Sequence, residues 1–177
     1  MNLIFIRHTA VAVEKGICYG QTDVALADTF PHEAEAVARQ LSGCKIDRAY
    51  TSPLSRCRKL AEFCGFKDAT TDDRLMEMNF GEWEMKRYDD IRDPRLQQWY
   101  EDYLNVAATG GESAMMQRDR LRDFLDSLEF SDNKTIAIFT HGGILIHALV
   151  MLGGLSYSEA YASGIKYGSI LHLSMKK

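Results

Sequence analysis

Apolar residues fall into two unbroken runs, Leu3-Ile4-Phe5-Ile6 and Ile136-Ala137-Ile138-Phe139, with helical stripes between and after them. Unbroken runs, as opposed to alternating ones, predict strands buried on both faces at the centre of a parallel sheet. Pro31 to Leu41 carries Ala34, Val37, Ala38 and Leu41 on one face and is stopped by Gly43, which predicts a helix. A short strand over 49–51 runs into Ser52-Pro53, a cap followed by proline, and predicts a helix from Pro53 to Cys64 with Leu54, Cys57, Ala61 and Cys64 inward. Further helices are predicted over 86–105 (starting afresh at Asp93-Pro94), 114–128, 143–152 and 156–162. A short strand is expected at 70–71. A last strand, at 169–175, alternates and so belongs nearer the sheet's edge. Strands alternate with helices throughout, without repeat or linker. The expected fold is a single α/β domain over residues 1–177, a three-layer α/β/α sandwich around a mostly parallel central sheet.

Composition narrows the partners. A chain of 177 residues with 46% hydrophobic and 26% charged residues is ordinary for one globular domain. Its net charge of −4 offers no basic footprint for nucleic acid. The longest apolar stretch, Gly142 to Leu155, is too short for a membrane span and contains His147, which reads as a hydrogen-bonded core histidine. Cys18, Cys44, Cys57 and Cys64 form no CxxC pair. They read as free thiols in a reducing compartment, and Arg7 interrupts any N-terminal signal-like run. A cytoplasmic location is expected, and the oligomeric state stays open.

The candidate chemistry stands where predicted strands stop. Arg7 and His8 follow the first run, Arg56 opens the helix after the second strand, and His141-Gly142-Gly143 follows the last buried run. Open α/β sheets bind ligands beyond the carboxyl ends of their strands. Two histidines and two arginines there, without metal-ligand spacing, make a cationic pocket suited to phosphate, with helix N-termini adding to the field.

Taken in order, Arg7-His8-Thr9, Ser52-Pro53-Leu54-Ser55-Arg56, Leu75 to Glu84, Gly110-Gly111-Glu112-Ser113 and Thr140-His141-Gly142-Gly143 resemble the motifs of the histidine phosphatase superfamily, with its phosphoglycerate mutase-like fold. The resemblance covers nearly the whole chain. Cys18 to Leu26 further resembles the branch of α-ribazole-5′-phosphate phosphatases of cobalamin synthesis. The resemblance implies a phosphomonoesterase for a small phosphorylated metabolite, using neither metal nor cofactor. His8 would be the nucleophile forming a phosphohistidine, and Glu77 the proton donor. Arg7, Arg56 and His141 would hold the phosphoryl oxygens. It also places Gln21, Thr22, Glu112 and Gly142 near the substrate.

Two other readings share these residues: a phosphoglycerate mutase-type transferase and a phosphate-binding regulatory module without turnover. Chain length, and the missing segment after the glutamate motif, favour hydrolysis over the mutase. The filled set of histidines, arginines and glutamate argues against the module. The chain departs from the family's commoner pattern at Thr9, where glycine is usual, in lacking the Glu-Thr that often follows, and at Met85, another usual glycine. The aromatic residues between Trp83 and Tyr103 read either as subdomain packing or as the wall of a pocket for a flat apolar group.

Overall fold

The computed structural model describes residues 1–176. Its five-stranded sheet has the order β3-β2-β4-β1-β5, built from β1 (Asn2–Arg7), β2 (Arg48–Thr51), β3 (Thr70–Thr71), β4 (Thr135–Thr140) and β5 (Ile170–Ser174). All pairings are parallel except that of β5, which runs antiparallel to β1 at the edge.

The unbroken apolar runs do what their pattern predicts. In β1, Leu3 and Phe5 pack on one face with Ile136 and Ile138 of β4. Ile4 and Ile6 pack on the other with Ala137 and Phe139. Helices α1 (Phe30–Leu41) and α2 (Ser55–Phe63) cover the second face through Ala34, Val37, Cys57 and Leu60. Helices α4 (Ala114–Asp126) and α5 (Gly142–Gly153) cover the first through Leu121, Phe124, Ile144 and Leu145. The fold is therefore the expected three-layer sandwich. His147 of α5 is buried, its Nδ1 3.1 Å from the hydroxyl of Tyr157 at the start of α6 (Tyr157–Ala162).

Two expectations fail for local reasons. The helix predicted over 86–105 is only α3, Arg95–Glu101, preceded by a single 3-10 turn at Tyr88–Asp90. The ring of Pro94 disfavours helical backbone at Asp93. Asp93 instead accepts from Trp83 Nε1 (2.8 Å), Arg95 N (2.9 Å) and Thr109 Oγ1 (2.5 Å). The second failure is the start of α2. Ser55 is its first residue, and the Ser52 hydroxyl faces His141 at 2.8 Å. On α2 Cys57 and Ala61 are buried as expected and Leu60 joins them, whereas Cys64, just past the helix, is partly exposed.

A third apolar cluster lies beyond the carboxyl ends of the strands, around Trp83, Ile91 and Leu96 with Trp99, Phe80 and Tyr88 against it. It is built mostly from irregular chain.

Candidate active site

The last residue of β1 and the one after it are Arg7 and His8. The His8 ring is almost wholly buried, and its Nδ1 lies 2.7 Å from the carbonyl of Thr9. A carbonyl only accepts, so Nδ1 carries the proton and Nε2 keeps its lone pair. Burial first, then the charge of Arg56 and less so Arg7, outweigh that hydrogen bond and pull His8 down to about 3. The imidazole is neutral. Arg7 donates to Ile165 O at 2.8 Å and lies 4.3 Å from the Tyr167 ring centroid. Its buried Nε finds no partner among the described residues. Such a donor on a cation is costly to leave unmatched and suits an anion. A side chain on Gly142 would begin 3.2 Å from the Arg7 guanidinium carbon, which explains the small residue there.

Arg56 and His141 form a layer directly behind. Arg56 is fully buried. It donates to Gly20 O at 2.5 Å, Thr22 O at 3.0 Å and His141 Nδ1 at 3.3 Å. His141 Nδ1 must then accept, so its Nε2 donates to Ser52 Oγ at 2.8 Å. Burial first, then His8 and Arg56, hold His141 far below the ordinary imidazole range. The two histidine rings meet edge to face at 5.2 Å.

Gln21 and Thr22 lie beside Arg56 and are fixed by Glu84. That carboxylate accepts from Gly20 N (3.0 Å), Gln21 N (2.9 Å), Thr22 N (3.1 Å), Thr22 Oγ1 (2.6 Å) and Phe80 N (3.1 Å). Burial pushes Glu84 up, yet these bonds outweigh it and keep the group below the usual carboxylate value. The sequence places Glu84 at the end of the Leu75 to Glu84 motif and gives it no role of its own. Its position next to Trp83, deep among aromatics, was the available signal that it is tied inward. The Gln21 amide donates to Glu77 O at 3.1 Å.

Glu77 faces His8 and Arg7 across a shared cavity. Its Oε1 accepts from Met78 N at 3.0 Å and Gln117 Nε2 at 2.9 Å, and its Oε2 from Gly143 N at 3.2 Å. A Cβ on Gly143 would meet the ends of the Glu77 and Gln117 side chains, so the second glycine is what lets both stand in their observed places. Glu112 does not reach the cavity. It pairs with Arg120 (2.8 and 3.0 Å) and accepts from Asn79 N at 2.9 Å. The α4 cap is Ser113, which accepts from Met116 N. Arg120 also donates to Arg74 O (2.7 Å) and Glu77 O (2.9 Å). Glu112 thus acts as a strut under the Glu77 segment. Gln117 and Arg120 escaped the sequence reading because, one turn apart on α4, they look like an ordinary polar face.

The cavity measures about 530 Å³. Arg7, His8 and Glu77 form one end, and Phe80, Tyr88, Trp99, Tyr103 and Tyr161 form the other. Tyr103 and Tyr161 meet edge to face at 5.3 Å, and Trp99 meets Trp83 at 6.0 Å. The aromatic stretch is therefore both packing and pocket wall. Arg7 is the only cation among the described residues on that wall. Arg56, His141, Gln21, Thr22, Gly142 and Glu112 are not on it. Among the described residues no three of His, Cys, Asp or Glu cluster as metal ligands, and no helix is long and apolar enough to cross a membrane.

The family model for histidine phosphatase superfamily (branch 1) matches residues 3–177. The chain is 31% identical over 159 residues to putative phosphoserine phosphatase 2 of Hydrogenobacter thermophilus, covering 85% of this chain and 77% of the relative. It is 28% identical over 153 residues to the adenosylcobalamin/alpha-ribazole phosphatase of Salmonella typhimurium, covering 82% and 76%. The crystal structure of phosphoglycerate mutase from Thermus thermophilus superposes with a TM-score of 0.75 at 26% identity, covering 99% of this chain and all of that one.

Proposed function

The chain belongs to the histidine phosphatase superfamily, branch 1, and on that premise we propose that it is a phosphomonoesterase working through a phosphohistidine on His8. The observation that carries this reading is the neutral His8 ring, with Nδ1 held by the Thr9 carbonyl and Nε2 left as nucleophile beside Arg7. Nε2 attacks phosphorus, and Arg7 offsets charge on the phosphoryl oxygens. Arg56 stands just behind. An anionic oxygen makes stronger hydrogen bonds than the neutral carbonyls of Gly20 and Thr22, so phosphate competes with them for its donors. His141, bound to Arg56, completes the positive layer. Glu77 gives a proton to the departing alkoxide and then takes one from water. Arginine charge and the buried site supply the electrostatic stabilisation, so no step calls for a metal ion.

The far end of the cavity supports a flat, uncharged leaving group. Phosphoserine and phosphoglycerate bring a carboxylate, and that end offers it no cation. α-Ribazole 5′-phosphate, whose alcohol carries a benzimidazole, matches the aromatic wall, and we propose it as substrate, which would give the enzyme a role in cobalamin synthesis. The four free thiols support a reducing, cytoplasmic setting. The test is a comparison of phosphate release from α-ribazole 5′-phosphate, phosphoserine and 3-phosphoglycerate, with and without EDTA. Expected is the highest kcat/KM on the ribazole ester, unchanged by chelation. Dependence on a divalent ion would overturn the metal-free mechanism. Isomerisation of 3-phosphoglycerate outpacing phosphate release would turn the assignment to a mutase.

A further inference from the structure

Gln117 holds Glu77 with one end of its amide, and the other end is open. Its Nε2 donates to Glu77 Oε1 at 2.9 Å and lies 3.5 Å from Met76 O. Met76 O only accepts, and Glu77 accepts in the carboxylate form that meets the incoming water, so the amide then lies with nitrogen toward Glu77 and oxygen away. Among the described residues the Gln117 oxygen receives no hydrogen bond, yet it is not one of the buried orphaned polar atoms. It therefore opens on the cavity, whose wall Gln117 forms together with Glu77 and His8. Gly143 makes the room: a Cβ there would stand 2.6 Å from that oxygen.

We infer that Gln117 Oε1 holds the water that breaks down the phosphohistidine, an inference that rests on the reading of His8 as nucleophile. Water brings two hydrogens to this step. As its oxygen attacks phosphorus, one proton passes to the Glu77 carboxylate, which has already given its own to the first leaving group. The other hydrogen donates to Gln117 Oε1, which turns the lone pair toward phosphorus. The P–Nε2 bond breaks, its electron pair returns to His8, and inorganic phosphate leaves. An alcohol has only one hydroxyl hydrogen, and Glu77 takes it. Gln117 thus helps water and not alcohols, and biases the site toward hydrolysis over transfer.

The test is partitioning of the phosphoenzyme, formed from nitrophenyl phosphate, between water and added methanol. In Gln117→Met the ratio of methyl phosphate to inorganic phosphate should rise about three- to tenfold, the worth of one hydrogen bond. Transfer to methanol should fall only as far as the lost Gln117–Glu77 hydrogen bond weakens Glu77, and hydrolysis should fall further. If Gln117 only steadies Glu77, both routes fall together and the ratio is unchanged, which would overturn the inference. The ratio does not depend on how much of a preparation is folded, and Gln117→Leu provides a second variant read the same way. Failure of the underlying mechanism looks different: nitrophenol release that survives His8→Ala removes the phosphohistidine itself.

Discussion

At one end of the cavity, Arg7, His8 and (one layer behind) His141 stand at or next to the last residue of a buried strand, with Arg56 on the first turn of the helix that follows β2. At the other end, Phe80, Tyr88 and Tyr103 come from irregular chain and 3-10 turns, and Trp99 from a helix of seven residues. The first end is held by backbone ladders and by the buried hydrogen bonds of His8, Arg56 and His141. The second is held by rings meeting edge to face and by a few polar ties such as Asp93 to Trp83. The difference divides the labour. On the proposed mechanism the nucleophile sits at a strand end, where little displacement is tolerated. Glu77 sits on irregular chain tied to Gln117 of α4, and the leaving group would be recognised by a wall that loop changes can rebuild without touching the nucleophile.

The largest effect should come from the sheet end. His8→Ala should lower turnover by about 10⁴-fold or more, the scale seen when a nucleophile is removed, measured as phosphate release on any substrate. Glu77→Gln should come next, with a loss of about 10²- to 10⁴-fold on an alkyl phosphate. On nitrophenyl phosphate, whose leaving group needs no proton, single-turnover phosphorylation should fall much less. Equal losses would remove Glu77 as the acid.

The sheet end should also show in the pH dependence of stability. His8 titrates at about 3 and His147 at about 4 in the folded chain, below the ordinary 6.5. The unfolded chain then binds more protons between those values, so stability is fully present above pH 6.5 and is lost as pH falls through that window. Each such histidine contributes about 1.4 kcal/mol per pH unit. Urea unfolding from pH 6 to pH 4 should be less steeply pH-dependent in His8→Gln by about that slope. An unchanged slope would mean that His8 is not buried neutral.

At the aromatic end the effects should be smaller and selective. Trp99→Leu should lower kcat/KM about tenfold on α-ribazole 5′-phosphate, the worth of an aromatic contact beyond simple burial, and leave methyl phosphate unaffected. Equal losses on both would place Trp99 in the scaffold and not in recognition. The smallest effect concerns Met85, exposed and the only described non-glycine residue with positive φ, at 63°. Met85→Gly should raise stability by about 0.5 kcal/mol, the relief of left-handed backbone less the extra entropy of an unfolded glycine.

The same division explains what the sequence disclosed. Leu3 to Ile6 and Ile136 to Phe139 are unbroken because both faces of a central strand are buried, so the sheet and its strand-end residues could be read from pattern. The helix predicted over 86–105 failed because periodicity does not register the side-chain bonds of Asp93 or the restraint that Pro94 sets on it. Gln117 and Arg120 were illegible for a related reason. Gln117 meets the side chain of Glu77, and Arg120 the backbone of Arg74 and Glu77, all distant in the chain, and nothing in local spacing marks a surface-type residue as turned inward.

The most direct measurement of a phosphohistidine on His8 is a rapid quench of the enzyme with nitrophenyl phosphate, followed by mapping of the trapped phosphate. One acid-labile, base-stable phosphate per chain is expected on the peptide containing His8, formed in EDTA and absent from His8→Ala. Phosphate released at full rate with no such adduct, or an adduct on another residue, would contradict that intermediate.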